Sequence, residues 1–341
     1  MQAWLNRRWY GPEAGACRTL RPLEWLYGAA VRLRRARAPA PSALPAPVII
    51  VGNLTVGGTG KTPLTVWLAR QLQQRGLEVG LISRGYGRRE GAVRVLDAQA
   101  DWPEVGDEPL ILARSSGCPT AVGRDRVAAA RAVLSRGARV ILSDDGLQHL
   151  PLPRACSIVV VDGARGFGNG HLLPGGPLRE PLGALAQADA LVINGAAEHP
   201  SLAAAAASFP PRVVRMDLKP AAAVALGSPE RRALEAFRGG PVHAVAGIGH
   251  PQRFFRDLRA RGLELIEHPF PDHHPLGAQE LDFGDDRPVL MTEKDAVKCA
   301  PPFDRRLWWV PVEVVLSDAD AARLIELSLR TIESFARPPG G

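Results

Sequence analysis

The sequence predicts an α/β protein: a parallel-sheet domain, a second and smaller α/β domain, and an amphipathic helix at the N-terminus. Three observations support this fold class. Short apolar, β-branched runs alternate with helical segments, which is typical of a parallel sheet covered by helices. An Ala-rich stretch at 199–211 interrupts the alternation once, after which it resumes. The first 38 residues combine arginines and tryptophans on a helical pattern.

The N-terminal segment "RPLEWLYGAAVRLRRARA" (21–38) predicts a helix with apolar residues at helical spacing. Residues 1–37 contain eight arginines and only two glutamates, so this end supplies most of the formal net charge of +7. A nucleic-acid-binding protein more often spreads basic charge over a folded face. The composition fits a helix at a membrane interface, and equally one packed on the protein's own core. A Pro/Ala spacer at 38–47 separates it from the body.

The elements that follow fall into two groups. The sequence predicts strands at 47–53, 78–83, 138–143, 156–163 and 189–195, with helices at 63–76 and 125–137. The second group has strands at 242–249 and 288–292, with helices at 251–262 and 318–336. We therefore expect three regions, at 1–38, 39–205 and 206–341, and the C-terminal helix is free to pack back on the first domain.

The stretch "VGNLTVGGTGKTPL" (51–64) connects the first strand to the first helix of the main domain. In a phosphate-binding loop (P-loop), glycines let backbone N–H groups wrap the phosphates, a lysine reaches the terminal phosphates, and a hydroxyl holds Mg²⁺. Lys61 and Thr62 occupy those last two places, whereas Thr55 replaces the usual first glycine. The strand–loop–helix context favours a P-loop for nucleotide phosphates and Mg²⁺, and the alternative is a Gly-rich structural turn. The residues of this loop are Thr55, Val56, Gly57, Gly58, Thr59, Gly60, Lys61 and Thr62.

A second acidic motif, "VILSDDGLQH" (140–149), places Asp144 and Asp145 directly after an apolar run. A P-loop site requires an acidic residue at the end of a neighbouring strand, on or near the magnesium. The alternative is a simple Asp-Gly turn. We favour a metal site formed by Thr62, Asp144 and Asp145, although the sequence does not separate the roles of the two aspartates.

Two further motifs are ambiguous from their residues alone. In "GDEPLILARSSG" (106–117), Asp107 suits a helix cap, and it equally suits the carboxylate that accepts a hydroxyl proton. In "MTEKDAVK" (291–298), Thr292 and Asp295 form a predicted capping pair, while Lys294 and Lys298 are one helical turn apart and are expected on the same side.

Taken in order, these motifs resemble the tetraacyldisaccharide 4'-kinases of lipid A synthesis. The resemblance runs from "WLYGAAVRLRR" through "VGNLTVGGTGKTP", "SRGYGR", "GDEP", "DDGLQH", "LLPGGPLREP", "AGIGHPQRFF" and "FPDHH" to "TEKDAVK", nearly the whole chain. A threonine in the P-loop is typical of this family. The resemblance implies transfer of the γ-phosphate of ATP to the 4'-hydroxyl of tetraacyldisaccharide 1-phosphate, which forms lipid IVA.

Carried onto this sequence, the resemblance assigns roles to particular residues. Asp107 would be the base, with His273 as its partner and Lys61 as a catalytic phosphate contact. The remaining candidates for substrate contacts are Arg84, Arg124 (or Arg126), Gln148, His149, Arg179 and Glu180.

The resemblance also implies a peripheral enzyme at the cytoplasmic side of the inner membrane of a Gram-negative bacterium. Its expected partners are the lipid-linked disaccharide and the membrane surface, with no nucleic acid and no obligate protein partner. The four scattered cysteines indicate a reducing compartment.

Two alternatives to this function remain: a switch-type P-loop ATPase, in which a lysine is expected at Val56, and a P-loop kinase of a soluble small molecule.

Overall fold

The computed structural model describes residues 2–11, 18–85, 88, 91–97, 100–208, 213–272 and 274–337. The described helices are α1 Gln2–Tyr10, α2 Arg21–Ala36, α3 Lys61–Gln73, α4 Trp102–Val105, α5 Asp107–Ser116, α6 Arg126–Leu134, α7 Ser201–Ser208, α8 Pro251–Ala260, α9 Glu293–Ala296 and α10 Asp318–Ala336. The strands are β1 Val48–Gly52, β2 Val79–Ser83, β3 Arg94–Val95, β4 Thr120–Val122, β5 Val140–Asp144, β6 Cys156–Asp162, β7 Ala190–Asn194, β8 Val213–Pro220, β9 Ala223–Ala225, β10 Arg231–Arg232, β11 Val242–Ala246, β12 Leu265–Pro269, β13 Val289–Thr292, β14 Leu307–Val310 and β15 Val312–Leu316. Within these ranges, none of the helices has the length and apolarity needed to cross a membrane.

The larger sheet has the strand order β15-β8-β7-β6-β1-β5-β2-β4-β3 in the described part of the chain. From β8 to β4 the neighbouring strands are parallel, and only the edge strands β15 and β3 pair antiparallel. The central strand β1 lies between β5 and β6. Because the carboxyl ends of parallel strands meet at one edge, the segments after β5 and β6 lie on either side of the loop after β1. The α/β fold class is confirmed.

Both faces of this sheet are buried, which explains why its strands are nearly continuous apolar runs. On one face, α3 and α10 contribute Leu64, Leu68 and Leu324 to a core with the strands. On the other, α6 contributes Val127 and Val133. The helix predicted at 318–336 is confirmed with those bounds, and it packs on the larger sheet.

The smaller sheet has the order β10-β9-β14-β13-β11-β12, parallel from β14 to β12. Helix α8 covers it through Phe254, Phe255 and Leu258, which are buried with Trp308 of β14. This sheet is built entirely from residues between 223 and 310, so it is an insertion between β8 and β15 of the larger sheet.

The predicted domain boundary at 205/206 therefore needs correction. The Ala-rich stretch forms α7, a crossover helix that leads from β7 to the parallel strand β8, and the chain returns to the larger sheet at β15. Alanine is the best helix former, so a run of alanines after a strand suits a crossover helix rather than a linker. The larger unit thus contains β8, β15 and α10.

The N-terminal helix α2 packs on the body despite the Pro/Ala spacer. The loop at 171–180 receives most of its contacts: Glu24 Oε1 accepts the N–H of Leu172 at 3.1 Å, and the Tyr27 hydroxyl donates to the carbonyl of Arg179 at 3.0 Å. The opposite face of α2 carries exposed Leu23, Trp25, Leu26 and Leu33. The helix therefore has one face on the protein and an apolar face in solvent.

Candidate active site

The loop between β1 and α3 forms a cradle of backbone donors. Gly57 and Gly60 have left-handed φ values of 101° and 95°, which favour glycine. A β-carbon on Gly60 would lie 2.8 Å from Asn194 Nδ2, the atom that donates to the Thr59 carbonyl at 3.0 Å. Among the described residues, no protein acceptor takes the N–H groups of 57–61. Free N–H groups at a helix N-terminus are suited to bind an anion.

Thr55 occupies the position at which the usual pattern has glycine, and the structure shows why a side chain is tolerated there. Thr55 is buried and forms an isolated bridge with Leu178, and the neighbouring N–H of Val56 donates to the Pro177 carbonyl at 2.9 Å. This part of the loop is extended, so it does not require a left-handed residue. The long loop at 166–183 is thereby fixed against the P-loop.

Asp144 is the last residue of β5 and Asp145 follows it, and the two aspartates have different environments. Asp144 Oδ2 accepts the Thr62 hydroxyl at 2.9 Å, and burial, with the charge of Glu108, raises the pKa of Asp144 to about 7. Asp145 adopts a left-handed φ of 54°, and its carboxylate lies 3.7 Å from Lys61 Nζ. Although burial raises the pKa of Asp145, Lys61 and Arg179 hold it at about 2.

These contacts indicate different roles for the two aspartates. Asp144 and Thr62 together present a carboxylate and a hydroxyl oxygen, the hard ligands that Mg²⁺ prefers. A buried carboxyl with a raised pKa is stabilised in its charged form by a bound cation. The geometry therefore fits a magnesium ion at Thr62 and Asp144, with Asp145 anchoring the cations around it.

Two arginines, 126 and 179, face this site. Arg179 Nη1 donates to both carboxylate oxygens of Asp145, at 3.1 and 2.9 Å. Arg126 is buried and donates to the Asp145 carbonyl at 3.2 Å, while its Nη1 has no partner within the described residues. Arg84 and Arg124 are both exposed. Of the two arginines considered at 124 and 126, the structure brings Arg126 into the site.

Gln148 and His149 lie in the turn that follows the aspartates. Gln148 Nε2 donates to the Asn53 carbonyl at 3.2 Å and so links this turn to the P-loop. His149 is half-buried, and burial and the Arg126 charge lower its pKa. Its Nε2 has no hydrogen-bond partner among the described residues, which leaves a polar atom for a ligand.

Asp107, at the start of α5, and the smaller domain meet at Lys294. Its Nζ lies 3.2 Å from Glu108 Oε1, 3.8 Å from Asp107 Oδ2 and 3.9 Å from Asp272 Oδ1. Although burial lowers the pKa of Lys294, these three carboxylates raise it overall. Asp107 itself is buried. His273, its predicted partner, lies outside the described residues, and its neighbour Asp272 is the side chain that the structure brings to Lys294.

The two lysines of the "TEKDAVK" motif have different partners, and α9 ends at Ala296, before Lys298. Lys298 is fully buried and binds Asp295 at 2.9 Å. The other oxygen of Asp295 accepts the Gly247 N–H at 2.9 Å. The predicted capping of α9 is confirmed, because the Thr292 hydroxyl accepts the Asp295 N–H. Lys298 therefore supports the loop after β11, whereas Lys294 reaches the carboxylates at the start of α5.

Glu180 connects the site to the N-terminal helix. Its carboxylate is buried and accepts a hydrogen bond from Arg35, while Arg34 Nη2 lies 3.5 Å away. The neighbouring Arg179 contacts Asp145 directly. Glu180 thus contacts α2, its neighbour Arg179 contacts Asp145, and the two residues together connect the helix to the phosphate site.

Sequence reasoning missed three residues near the loop: Asp162 at the end of β6, Arg165 just after it, and Asn194 at the end of β7. A signal existed, because Asp162 and Asn194 lie near the ends of predicted strands and Arg165 follows one, at the carboxyl edge of the parallel sheet, where ligands bind. Asn194 Nδ2 holds the Thr59 carbonyl, as described above, and its Oδ1 lies 3.4 Å from Arg253 of the smaller domain.

Comparison with known proteins shows the family to which this chain is similar. A family model described as "Tetraacyldisaccharide-1-P 4'-kinase" matches residues 16–330. A tetraacyldisaccharide 4'-kinase of Alkalilimnicola ehrlichii is 51% identical over 97% of both chains, and one of Dechloromonas aromatica is 48% identical over 95% of this chain and 96% of its own. The structure of LpxK from Aquifex aeolicus in complex with ATP is 26% identical, with a TM-score of 0.76 over 92% of this chain and 98% of that one.

Proposed function

The chain belongs to the tetraacyldisaccharide 4'-kinase family, and from this membership we propose that it transfers the γ-phosphate of ATP to the 4'-hydroxyl of tetraacyldisaccharide 1-phosphate. It is a kinase of lipid A biosynthesis, and the product of this transfer is lipid IVA. The observation that supports this most directly is the loop at 57–61, whose N–H groups lack protein acceptors. The start of α5 is close to this site, because the negative charge of Glu108, the neighbour of Asp107, contributes to the raised pKa of Asp144.

The phosphate half of the site is formed by the larger domain. The N–H groups of residues 57–61 and the Lys61 ammonium would bind the phosphates of ATP. Mg²⁺, when bound, neutralises charge on the phosphate oxygens during transfer, and Thr62 and Asp144 would hold it. Asp145 fixes Lys61 and Arg179 in position through its two-sided contacts. The unpartnered Nη1 of Arg126 is a further donor at this end of the site.

The acceptor half is assigned to the first turn of α5 and the smaller domain. Asp107 Oδ1 accepts the Glu108 N–H at 2.8 Å, which fixes the carboxylate, while Oδ2 faces Lys294. We assign Asp107 Oδ2 as the atom that takes the proton of the 4'-hydroxyl. His273 remains its proposed partner. Arg84, Arg124, Gln148 and His149 remain candidates for contacts to the acceptor.

We also propose that the enzyme works at the cytoplasmic face of the inner membrane of a Gram-negative bacterium, held there peripherally by α2. The exposed face of this helix supports the proposal: Trp25 is 82% exposed and Leu26 is 69% exposed. Arginines flank these side chains, and basic residues close to an anionic leaflet each contribute about 1 kcal/mol. The acceptor carries four acyl chains, so it is itself part of a membrane.

Phosphate transfer from labelled ATP in mixed detergent micelles tests the activity. We expect label in tetraacyldisaccharide 1-phosphate only when Mg²⁺ is present, and no label in an acceptor whose 4'-hydroxyl is already phosphorylated. Release of phosphate to water with no lipid product would identify a switch-type ATPase instead. Labelling of a soluble sugar phosphate in preference to the lipid would identify a small-molecule kinase.

The double variant Trp25→Ser/Leu26→Ser is expected to bind anionic vesicles about 100-fold more weakly, since burying part of each side chain contributes about 1.4 kcal/mol, or tenfold. ATP affinity should stay unchanged, because both side chains point away from the body. Co-sedimentation with vesicles measures the first quantity and a nucleotide titration the second. Phe335→Ser, an exposed apolar residue of α10, is the matched control. Equal binding by the double variant and the control would disprove the role of α2.

Surface substitutions are the appropriate test, because removing α2 would change more than membrane binding. Without Arg34 and Arg35, the buried Glu180 would lose its cationic partners, and an unpaired buried charge strongly destabilises its surroundings. Those surroundings include Arg179 and the P-loop. A truncated enzyme would therefore combine two effects.

A further inference from the structure

Arg165 lies on the side of the P-loop opposite Asp144. It belongs to the turn after β6, and β6 and β5 flank β1. The turn is fixed at its base, because Asp162 Oδ1 accepts the N–H groups of Ala164 at 3.1 Å and Arg165 at 3.0 Å. Gly166 follows with a left-handed φ of 52° and donates to the Asp162 carbonyl at 2.7 Å.

The guanidinium of Arg165 reaches the loop itself. A β-carbon added to Gly57 would lie 3.7 Å from Arg165 Nη1, beside the N–H groups that lack acceptors. The guanidinium lies over the Tyr10 ring, 5.2 Å from its centroid. In the described ranges it forms no hydrogen bond or ion pair with a protein acceptor. The nearest carboxylate along the chain, Asp162, pairs with Arg253 at 3.7 Å instead.

The Arg165 guanidinium is a permanent positive charge beside the phosphate-binding loop. Because no carboxylate of the described residues pairs with it, it is available to an anionic ligand. An arginine suits charge spread over several phosphoryl oxygens, because its planar fork donates more than one hydrogen bond at once. The opposite side of the loop already has Lys61, which is tied to Asp145. Positive charge from both sides would surround the transferring group.

We propose that Arg165 is a catalytic residue that binds oxygens of the transferring phosphoryl group in the transition state, supplied in cis from the β6 turn. The inference depends on the proposed phosphate transfer. In that step the bond from the γ-phosphorus to the β–γ bridging oxygen breaks, and the bond to the acceptor oxygen forms. The acceptor proton goes to Asp107. Arg165 donates hydrogen bonds and gives up no proton. In phosphoryl transfer such an arginine acts mainly on kcat.

Arg165→Ala is expected to lower kcat by about 10²- to 10³-fold, with Arg165→Lys recovering only a small part. The affinity for ADP should change less than about twofold, while the affinity for ADP with aluminium fluoride should fall in proportion to kcat, because that complex resembles the transition state. Added guanidinium ion should restore part of the activity of Arg165→Ala. Arg256→Ala, an exposed arginine of α8, should behave as wild type.

A Tyr10→Leu variant separates catalysis from packing, because it removes the ring under the guanidinium and keeps the charge. It should retain most of kcat. The inference is overturned if Tyr10→Leu reproduces the whole loss, if Arg165→Ala keeps wild-type kcat, or if ADP and ADP with aluminium fluoride weaken equally. Failure of the proposed function gives a different result, since the wild-type enzyme would then label no lipid.

Discussion

Replacing Lys61 with alanine is expected to lower kcat/KM for ATP by about 10³-fold, as the loss of a preorganised charge at a transferring phosphoryl group predicts. Lys61 is the first residue of α3, directly after the loop with free N–H groups, and its Nζ lies 3.7 Å from Asp145 Oδ1. Without it, Asp144 and Asp145 lose a positive charge that acts on both carboxyl groups. Both phosphate binding and the charge balance of the metal site then suffer.

Steady-state kinetics over a range of ATP and lipid concentrations measure this effect. Lys219→Ala is the matched control, because Lys219 is an exposed lysine of β8 and should leave kcat/KM unchanged. The Lys61→Ala protein should unfold at nearly the wild-type temperature, since the residue is partly exposed and its ion pair is long. Activity within tenfold of wild type would show that Lys61 does not contact the phosphates.

The phosphate site was predictable because its signals are local. One continuous stretch supplies the strand end, the glycines, Lys61 and Thr62, and a second supplies Asp144 and Asp145. Their division of labour was not predictable. It depends on which aspartate lies beside Thr62 and which beside Arg179, and Asp145 and Arg179 are 34 residues apart. No spacing rule within a single sequence specifies a contact of that range.

The packing of the N-terminal helix was also not predictable from local sequence patterns. Its apolar stripe was predicted correctly, and the Pro/Ala spacer indicated separation from the body. The packing depends on polar contacts, such as that of Arg35 with Glu180 over 145 residues of chain. Periodicity detects a continuous apolar face, but it does not detect a few hydrogen bonds formed between distant segments. The amphipathic helix therefore has a docking side that its sequence pattern does not show.

The domain boundary was misplaced for a related reason. An alanine run contains no large apolar side chains with which to mark a buried face, so the Ala-rich stretch was interpreted as a break between two domains. Strands β8 and β15 were not predicted either, because each is an edge or near-edge strand with exposed positions that weaken the apolar signal. The insertion of the smaller sheet between them can be seen only once their pairing is known.

Asp107→Asn should lower kcat by about 10³-fold with little change in ATP affinity, which is within the range for loss of a general base. The substitution distinguishes the two roles that the sequence left open. An asparagine oxygen can still accept the Glu108 N–H that Asp107 Oδ1 accepts at 2.8 Å, so a residue that only starts α5 would tolerate the change. An amide cannot take a proton from the acceptor hydroxyl, so a general base would not.

Asp101 provides the matched control, because it caps α4 through the Trp102 N–H at 2.7 Å and lies outside the contacts of Lys294. Asp101→Asn should keep wild-type kcat. If Asp107→Asn behaves the same way, Asp107 only stabilises the start of α5, and another residue of the site is the general base. A selective loss of kcat would instead assign the proton to the one carboxylate that the larger domain buries against Lys294. That result would also give a reason for the lysine of the smaller domain there, because its ammonium lies 3.8 Å from the oxygen that takes the proton.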